Sequence, residues 1–414
     1  MTSNVEIMAP AGSWEALRAA IKAGADSVYF GVGKLNMRAR AAHNFQIEDL
    51  KEIVKICKEN NVKSYLTVNI VYYDKDIEDM KQVLNEAKST GVTAVICSDM
   101  AAIQYASSIG LEIHISTQAN VSNIEAVKFY SKFADVIVLA RELNIEQIKS
   151  IHESIIKENI KGPKGNPVEI ELFAHGALCV SVSGKCYMSL AQYNHSANRG
   201  DCLQTCRRKY RVIDEETGDE LVIDNKYVMS PKDLCTIGFV DKLIDSGVRV
   251  LKLEGRGRSP EYVYTVTKCY KEAVLAISDK TYSEEKIANW IKELETVFNR
   301  GFWHGGYYLG NKLGEWSGTY GSKATKKKSF IGQVVNYYDN INIVSLKLET
   351  GSIQDSDEVL IIGPTTGVIK MKITGMRNED SVIEKASKGD TITFPVSKKV
   401  RKNDKVYVLK DAHQ

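Results

Sequence analysis

The stretch VEIMAPAGSWEALRAAIKAGADSVYFG, residues 5–31, decides the fold. Its opening, VEIMAPA, is an apolar run that reads as a buried strand. Ser13 is placed to cap a helix running to Lys22, and Gly24 ends that helix. SVYFG (27–31) is then a second strand. An apolar strand followed at once by a helix and another apolar strand predicts a parallel sheet covered on both faces.

The same rhythm continues outward. Further apolar runs are SYLTVNIV (64–71), AVICS (94–98), EIHIS (112–116), VIVLA (136–140), VEIELFA (168–174) and VRVLKLEG (248–255). Segments of helical period lie between them, such as IEDLKEIVKICKEN (47–60) and IEDMKQVLNEAKS (77–89). Eight strands with helical connections close a (β/α)8 barrel. The open doubly wound alternative lacks its mark, because APAGS after the first strand is not GxGxxG. The expected fold class is therefore α/β, a TIM-like barrel over residues 1–320. A long cysteine-bearing insertion, residues 175–247, separates strands seven and eight. Within it, 210–223 predicts a hairpin and SPKDLCTI (230–237) the start of a helix. Ser259 and Pro260 open a long helix, a second follows at 283–298, and KKK (326–328) reads as a linker. Residues 329–414 break into short β-rich runs and predict a small all-β barrel.

No apolar run approaches the length of a membrane span, and MTSNVEIMAPAG lacks the basic-then-apolar order of a secretory leader. No membrane association and a cytoplasmic location are the expectations. The net charge of +3 is unevenly spread. Residues 321–414 carry 16 Lys and Arg against 11 Asp and Glu, leaving 39 against 41 for residues 1–320. A basic appendage on a near-neutral body suits a polyanion such as RNA. A solvated lysine-rich face is the plainer alternative.

Four of the eight cysteines, Cys179, Cys186, Cys202 and Cys206, crowd the end of the seventh strand and the loop beyond it, at the mouth where barrel active sites form. In a reducing compartment clustered thiols point to a metal rather than to disulfides. Zinc sites favour two tight cysteine pairs. Only Cys202 and Cys206 make one, so an iron–sulfur cluster ranks ahead of zinc. Cys235 is the alternative to Cys206 as fourth ligand. Cys57, Cys97 and Cys269 sit in strand or helix patterns and read as small core residues.

Other polar residues fall at strand ends. Arg38, Arg40, Asn69, Gln118, Arg141 and Arg258 are candidate substrate-binding residues, because converging arginines grip carboxylates or phosphates bidentately. His175, Glu254 and Arg256 are candidate catalytic residues. His175 abuts the first loop cysteine, and Glu254 is placed either as a base or to hold Arg256 or Lys252. GxSxG, HExxH and a Ser/His/Asp set are absent. Only the thiols offer a nucleophile.

From Glu171 the chain reads E-x-F-x-x-G-A-L-C-x4-G-x-C-x-M-S, filled by Glu171, Phe173, Gly176, Ala177, Leu178, Cys179, Gly184, Cys186, Met188 and Ser189. This pattern resembles the motif of the collagenase-like peptidase family U32. APAGSWEALRAAIKAGADSVYFG, STQANVSN, NRGDCLQTCRRKY, KDLC and KLEGRGRSPEYV extend the likeness over most of the chain. The family name implies proteolysis. Members with this cysteine pattern imply something else. Bacterial tRNA hydroxylation proteins support formation of 5-hydroxyuridine at the wobble position through prephenate-linked chemistry and an iron–sulfur cluster. Other relatives assist oxygen-independent ubiquinone hydroxylation with a 4Fe–4S cluster. By position, Cys179, Cys186 and Cys202 match the shared ligands, and Cys206 matches the tRNA branch. The resemblance thus implies a 4Fe–4S protein with prephenate as co-substrate, tRNA as partner and a paralogous family member as hetero-oligomeric partner. Lys326, Lys327, Lys328, Lys398, Lys399, Arg401 and Lys402 are the expected phosphate contacts. A peptidase and a zinc-stapled binding protein are the alternatives.

Overall fold

Eight parallel strands close on themselves beneath a layer of helices, four of which have their first turn tied down by a short polar side chain. The computed structural model describes residues 5–40, 44–221, 226–310, 315–379 and 381–412. The barrel strands are β1 (Glu6–Pro10), β2 (Ser27–Phe30), β3 (Lys63–Val68), β4 (Ala94–Cys97), β5 (Ile113–Ile115), β6 (Val136–Val138), β7 (Glu169–Gly176) and β11 (Val248–Leu253). β11 pairs with both β7 and β1, and this closes the barrel. The helices between strands are α1 (Trp14–Lys22), α2 (Leu50–Glu59), α3 (Ile77–Thr90), α4 (Met100–Ser108), α5 (Ile124–Tyr130) and α6 (Ile145–Lys157). Ser13 caps α1 by accepting from the Ala16 amide at 3.2 Å, and Asp99, Asn123 and Asn144 do the same for α4, α5 and α6.

Strand periodicity sorts side chains into two cores. Ile7, Val28, Leu66, Val95 and Leu251 point outward, into the main core beneath the helices. Met8, Tyr29, Tyr65, Ala94, Ile96, Val136 and Val250 fill the barrel itself. The barrel interior also carries charge, which the apolar runs did not announce. Glu171 and Lys252 meet there at 2.6 Å. Among the described residues no helix is long and apolar enough to cross a membrane.

The connection from β7 to β11 holds the short helix α7 (Met188–Tyr193), the hairpin β8 (Val212–Ile213) and β9 (Glu220–Leu221), the strand β10 (Asp233–Cys235) and α8 (Val240–Asp245). The expected hairpin is present, although residues 222 and 223 lie outside the described residues. The expected helix at 230–237 is replaced by β10. Leu234 and Cys235 pair antiparallel with Gly176 and His175 of β7, and β10 also carries β12 (Phe302–His304). Backbone partners offered by β7 outweigh the local helical pattern. α9 (Pro260–Ser278) and α10 (Glu284–Glu295) then pack on the barrel.

The C-terminal residues form antiparallel sheets around a second core. β13 (Lys326–Tyr338), β14 (Ile343–Leu348), β16 (Glu358–Gly363), β17 (Gly367–Lys372), β19 (Thr391–Pro395) and β20 (Lys405–Asp411) make one six-stranded sheet. β15 (Ser352–Gln354) pairs with β18 (Lys385–Ser387). Lys326–Lys328 are not a linker, since they begin β13 and pair with β20.

Candidate functional site

The site is built on strand ends. Gly176 closes β7 with φ +108°, and a Cβ there would fall 2.7 Å from the Glu254 carbonyl oxygen. Only glycine lets the chain leave β7 so close to β11, and the cysteine loop starts at that turn.

At the barrel mouth Tyr29, Arg38, Thr67, Asn69, Ser116, Gln118, Arg141, Phe173, Glu254 and Arg256 enclose a cavity of about 60 Å³. Arg38 donates from Nη2 and Nε to Glu254 Oε1, at 2.9 and 3.2 Å. Burial pushes the Glu254 carboxyl up, but Arg38 and Arg258 outweigh this and hold it below the usual range. Glu254 is thus a paired carboxylate rather than a group poised as a general base near neutral pH. Arg256 donates to Thr67 Oγ1 at 2.7 Å and lies over the Tyr29 ring, and burial lowers it to about 10. Arg141 lies over the Phe173 ring at 4.1 Å, and its buried Nε has no hydrogen-bond partner among the described residues. Asn69 ties the mouth together by donating to Ser116 Oγ and Gln118 Oε1 at 3.2 and 3.1 Å.

A second cavity of about 200 Å³ shares Arg38, Gln118, Arg141 and Glu254 with the first. Cys179, Cys202 and Cys206 line it, along with Arg207, Arg258 and Arg300. Burial raises the Cys206 thiol to about 11; Arg207 opposes this, while Cys179, Cys202 and Cys186 add to it. Burial also raises the Cys186 thiol, and Cys179 and Cys202 contribute. The four loop thiols therefore stand within electrostatic reach of one another, all as free cysteines. Cys235 does not join them. It is buried in β10, raised to about 12 by burial, and bonded towards Tyr270.

Three thiols lining one cavity, with Cys186 within electrostatic reach of them, match an iron–sulfur cluster in donor type and number. The loop gathers these donors without closing them into a cage. Among the described residues no three His, Cys, Asp or Glu side chains converge closely enough to hold a metal ion.

The loop is pinned from outside. Arg199 meets Asp76 at 2.7 Å, donates to the Val71 carbonyl and lies over Tyr73. Arg40 stays outside the two cavities and pairs with Asp201 at 2.9 Å on the surface. His175 is buried among Tyr270, Phe302 and Tyr262, and burial, with His304 second, lowers it to about 3. It is a neutral ring in a packed seam, not an acid or base facing the loop. Arg207 and Arg300 were missed in the sequence. Arg207 follows Cys206 directly, a usable signal. Arg300 sits in an aromatic stretch and is brought in by its pairing with Asp233 at 3.3 Å.

A sequence model of peptidase family U32 matches residues 12–318. The chain is 57% identical over 405 residues to a protein of Porphyromonas gingivalis (strain ATCC BAA-308 / W83) named collagenase, covering 98% of each. It is 31% identical over 377 residues to tRNA hydroxylation protein P1 of Bacillus subtilis (strain 168), covering 88% of this chain and 85% of that one. It is 34% identical over 304 residues to the 23S rRNA 5-hydroxycytidine C2501 synthase of Escherichia coli (strain K12), covering 72% of this chain and 44% of that one. The motif that opens at Glu171, the barrel that carries it and these matches together identify the chain as a member of peptidase family U32.

Proposed function

We propose that this chain is an iron–sulfur-dependent RNA-modifying enzyme that supports hydroxylation of a pyrimidine, with the wobble uridine of tRNA as target and 5-hydroxyuridine as product. One observation carries the reading. The cavity lined by Cys179, Cys202 and Cys206 is also lined by Arg38, Arg141, Arg207, Arg258 and Arg300, and it shares Arg38 and Arg141 with the barrel mouth. Thiols that suit a redox cofactor thus stand beside cations that suit an anionic substrate. Relatives named for RNA hydroxylation support the same reading.

Cys179, Cys186, Cys202 and Cys206 would hold a 4Fe–4S cluster, which supplies one-electron chemistry when bound. Arg141 lies over the Phe173 ring without an ion-paired carboxylate among the described residues and is placed for a bidentate grip on a carboxylate such as that of prephenate. Arg256 adds a second buried cation, and Asn69 and Gln118 offer hydrogen bonds to a base or sugar edge. Glu254 fixes the Arg38 guanidinium.

A second reading, proteolysis, is favoured by the collagenase name of the 57%-identical relative. The thiols speak against it, because Cys186 and Cys206 are raised rather than lowered, and no histidine is among the groups that shift them. Anaerobic purification with iron, sulfide and zinc analysis tests the cofactor. Stoichiometric zinc without iron would favour the zinc-stapled alternative and sink the cluster. Nucleoside analysis of tRNA from a strain lacking this protein and any paralogue tests the substrate, and undiminished 5-hydroxyuridine would remove the tRNA role. Gelatin cleavage that survives in Cys206→Ser but not in Cys179→Ser would favour a nucleophile over a cluster.

A further inference from the structure

A large cleft lies beside the mouth, between the barrel and the C-terminal sheets. It encloses about 830 Å³, towards the upper end of what single small ligands fill. One wall is the β1–α1 turn (Gly12, Ser13 and Glu15) and the β11–α9 turn (residues 256–260). The other wall is Lys328, Ile362, Pro364, Thr365, residues 401–405 and Tyr407.

Its charge is one-sided. Arg258, Lys328, Arg401, Lys402 and Lys405 face only two acids, Glu15 and Asp404. Asp404 is buried and already occupied, accepting from Thr366 Oγ1 and from the Arg401 amide. Lys328 is neutralised by Glu261 at 2.7 Å. Arg401, Lys402 and Lys405 are exposed and make no ion pair among the described residues. Lys326 and Lys399, by contrast, already hold Asp411 and Asp339. Burial lowers Lys22 behind the same wall, and Lys398, Arg18 and Arg401 lower it further, which places these cations within reach of one another.

The cleft has a preset shape and a direction. Ala19 of α1 packs with Leu360, Ile362 and Val368, and Lys22 donates to the Thr366 carbonyl, so the sheets are fixed against α1. Arg256 lines both the cleft and the mouth cavity, and Arg258 lines both the cleft and the cysteine cavity. Positive charge thus continues from the C-terminal sheets to the thiols.

We propose that this cleft is the track for the phosphate backbone of the substrate RNA, leading the target nucleotide from the C-terminal sheets into the barrel mouth. The assignment rests on the RNA-modifying reading above. The observations favour RNA over an acidic protein because the cations form a continuous path into the reaction site. A docking surface for a protein partner would have no reason to lead there.

The test is binding of unmodified tRNA transcript to the full-length protein across a range of salt. The triple variant Arg401→Glu, Lys402→Glu, Lys405→Glu is compared with a control of equal charge change on the outer face of α2, Lys51→Glu, Lys55→Glu, Lys58→Glu. The cleft variant should bind at least tenfold more weakly and lower the slope of log affinity against log salt by about two, at roughly 0.7 per single-strand phosphate contact. The control should move neither. Equal effects of the two variants, or binding that survives the cleft variant, overturn the cleft while leaving the RNA reading standing. A wild-type protein that binds no tRNA overturns both. Polyglutamate of equal charge competing as well as tRNA would mark an acidic protein as the partner instead. Should the variant fail to fold, photocrosslinking of the wild-type protein to 4-thiouridine-substituted tRNA decides. Labelled peptides should include residues 401–407, and labels confined elsewhere overturn the track.

Discussion

Glu171 and Lys252 meet inside the barrel at 2.6 Å with side-chain exposures of 0% and 5%. Removing one partner of such a pair costs about 3–5 kcal/mol, because the other is left as a bare buried charge. Here the two removals should differ. The second oxygen of Glu171 faces His114 Nδ1 at 3.4 Å. Burial pushes His114 down, but Glu112 and Glu171 outweigh it and raise the imidazole above its ordinary value. In Lys252→Met the carboxylate keeps a protonated imidazole, and the loss should sit near ~3 kcal/mol. In Glu171→Gln His114 keeps Glu112, but Lys252 loses its carboxylate. Lys252 then retains only the ring faces of Tyr29 and Phe173, at 4.7 and 5.6 Å, so the loss should approach ~5 kcal/mol. The double variant should recover part of this, with a coupling of about 2 kcal/mol or more. Urea unfolding followed by tryptophan fluorescence is the assay. Trp14, Trp290, Trp303 and Trp316 all precede the C-terminal sheets, so the signal reports the barrel. A raised histidine stabilises fully below its unfolded value and loses that contribution as pH rises through its folded value. Lys252→Met should therefore weaken further on the alkaline side. The reasoning is refuted if Lys252→Met costs as much as Glu171→Gln, or if either costs less than about 1 kcal/mol.

Cys206→Ser should lose iron and visible absorbance after anaerobic purification, whereas Cys235→Ser should keep both; the reverse pattern would make Cys235 the ligand. Gly247→Ala should destabilise the barrel by about 1–3 kcal/mol, because φ is +99° and the new Cβ would fall 2.1 Å from the His152 ring; an unchanged urea midpoint would contradict this. Burial pushes Glu112 up, but His114 and Lys164 outweigh it and hold the carboxyl at about 2. Its contribution is complete above the ordinary value of 4.5 and is lost as pH falls towards 2. Glu112→Gln should therefore flatten the acid limb of stability against pH, and an unaltered limb would remove Glu112 from that role.

The order of strands and helices was legible in the sequence because its causes are local. Apolar runs bury strands on both faces, and Ser13, Asp99, Asn123 and Asn144 cap helices within a few residues of themselves. The place of the cysteine loop followed from counting strands, and its family motif could be read from Glu171 to Ser189. What contacts between distant residues impose could not be read. β10 is a strand because β7 supplies its backbone partners, against a local helical pattern. His175 is a packed neutral ring because α9 and β12 close over it, and the same seam buries Cys235 away from the other thiols. Arg300 reaches the cysteine cavity only because Asp233 anchors it. The charged barrel interior and the basic cleft are set by which side chains face one another once the barrel closes and α1 docks on the C-terminal sheets. Local patterning determined the elements of this protein, and long-range pairing and burial decided which of its charges and thiols share a cavity.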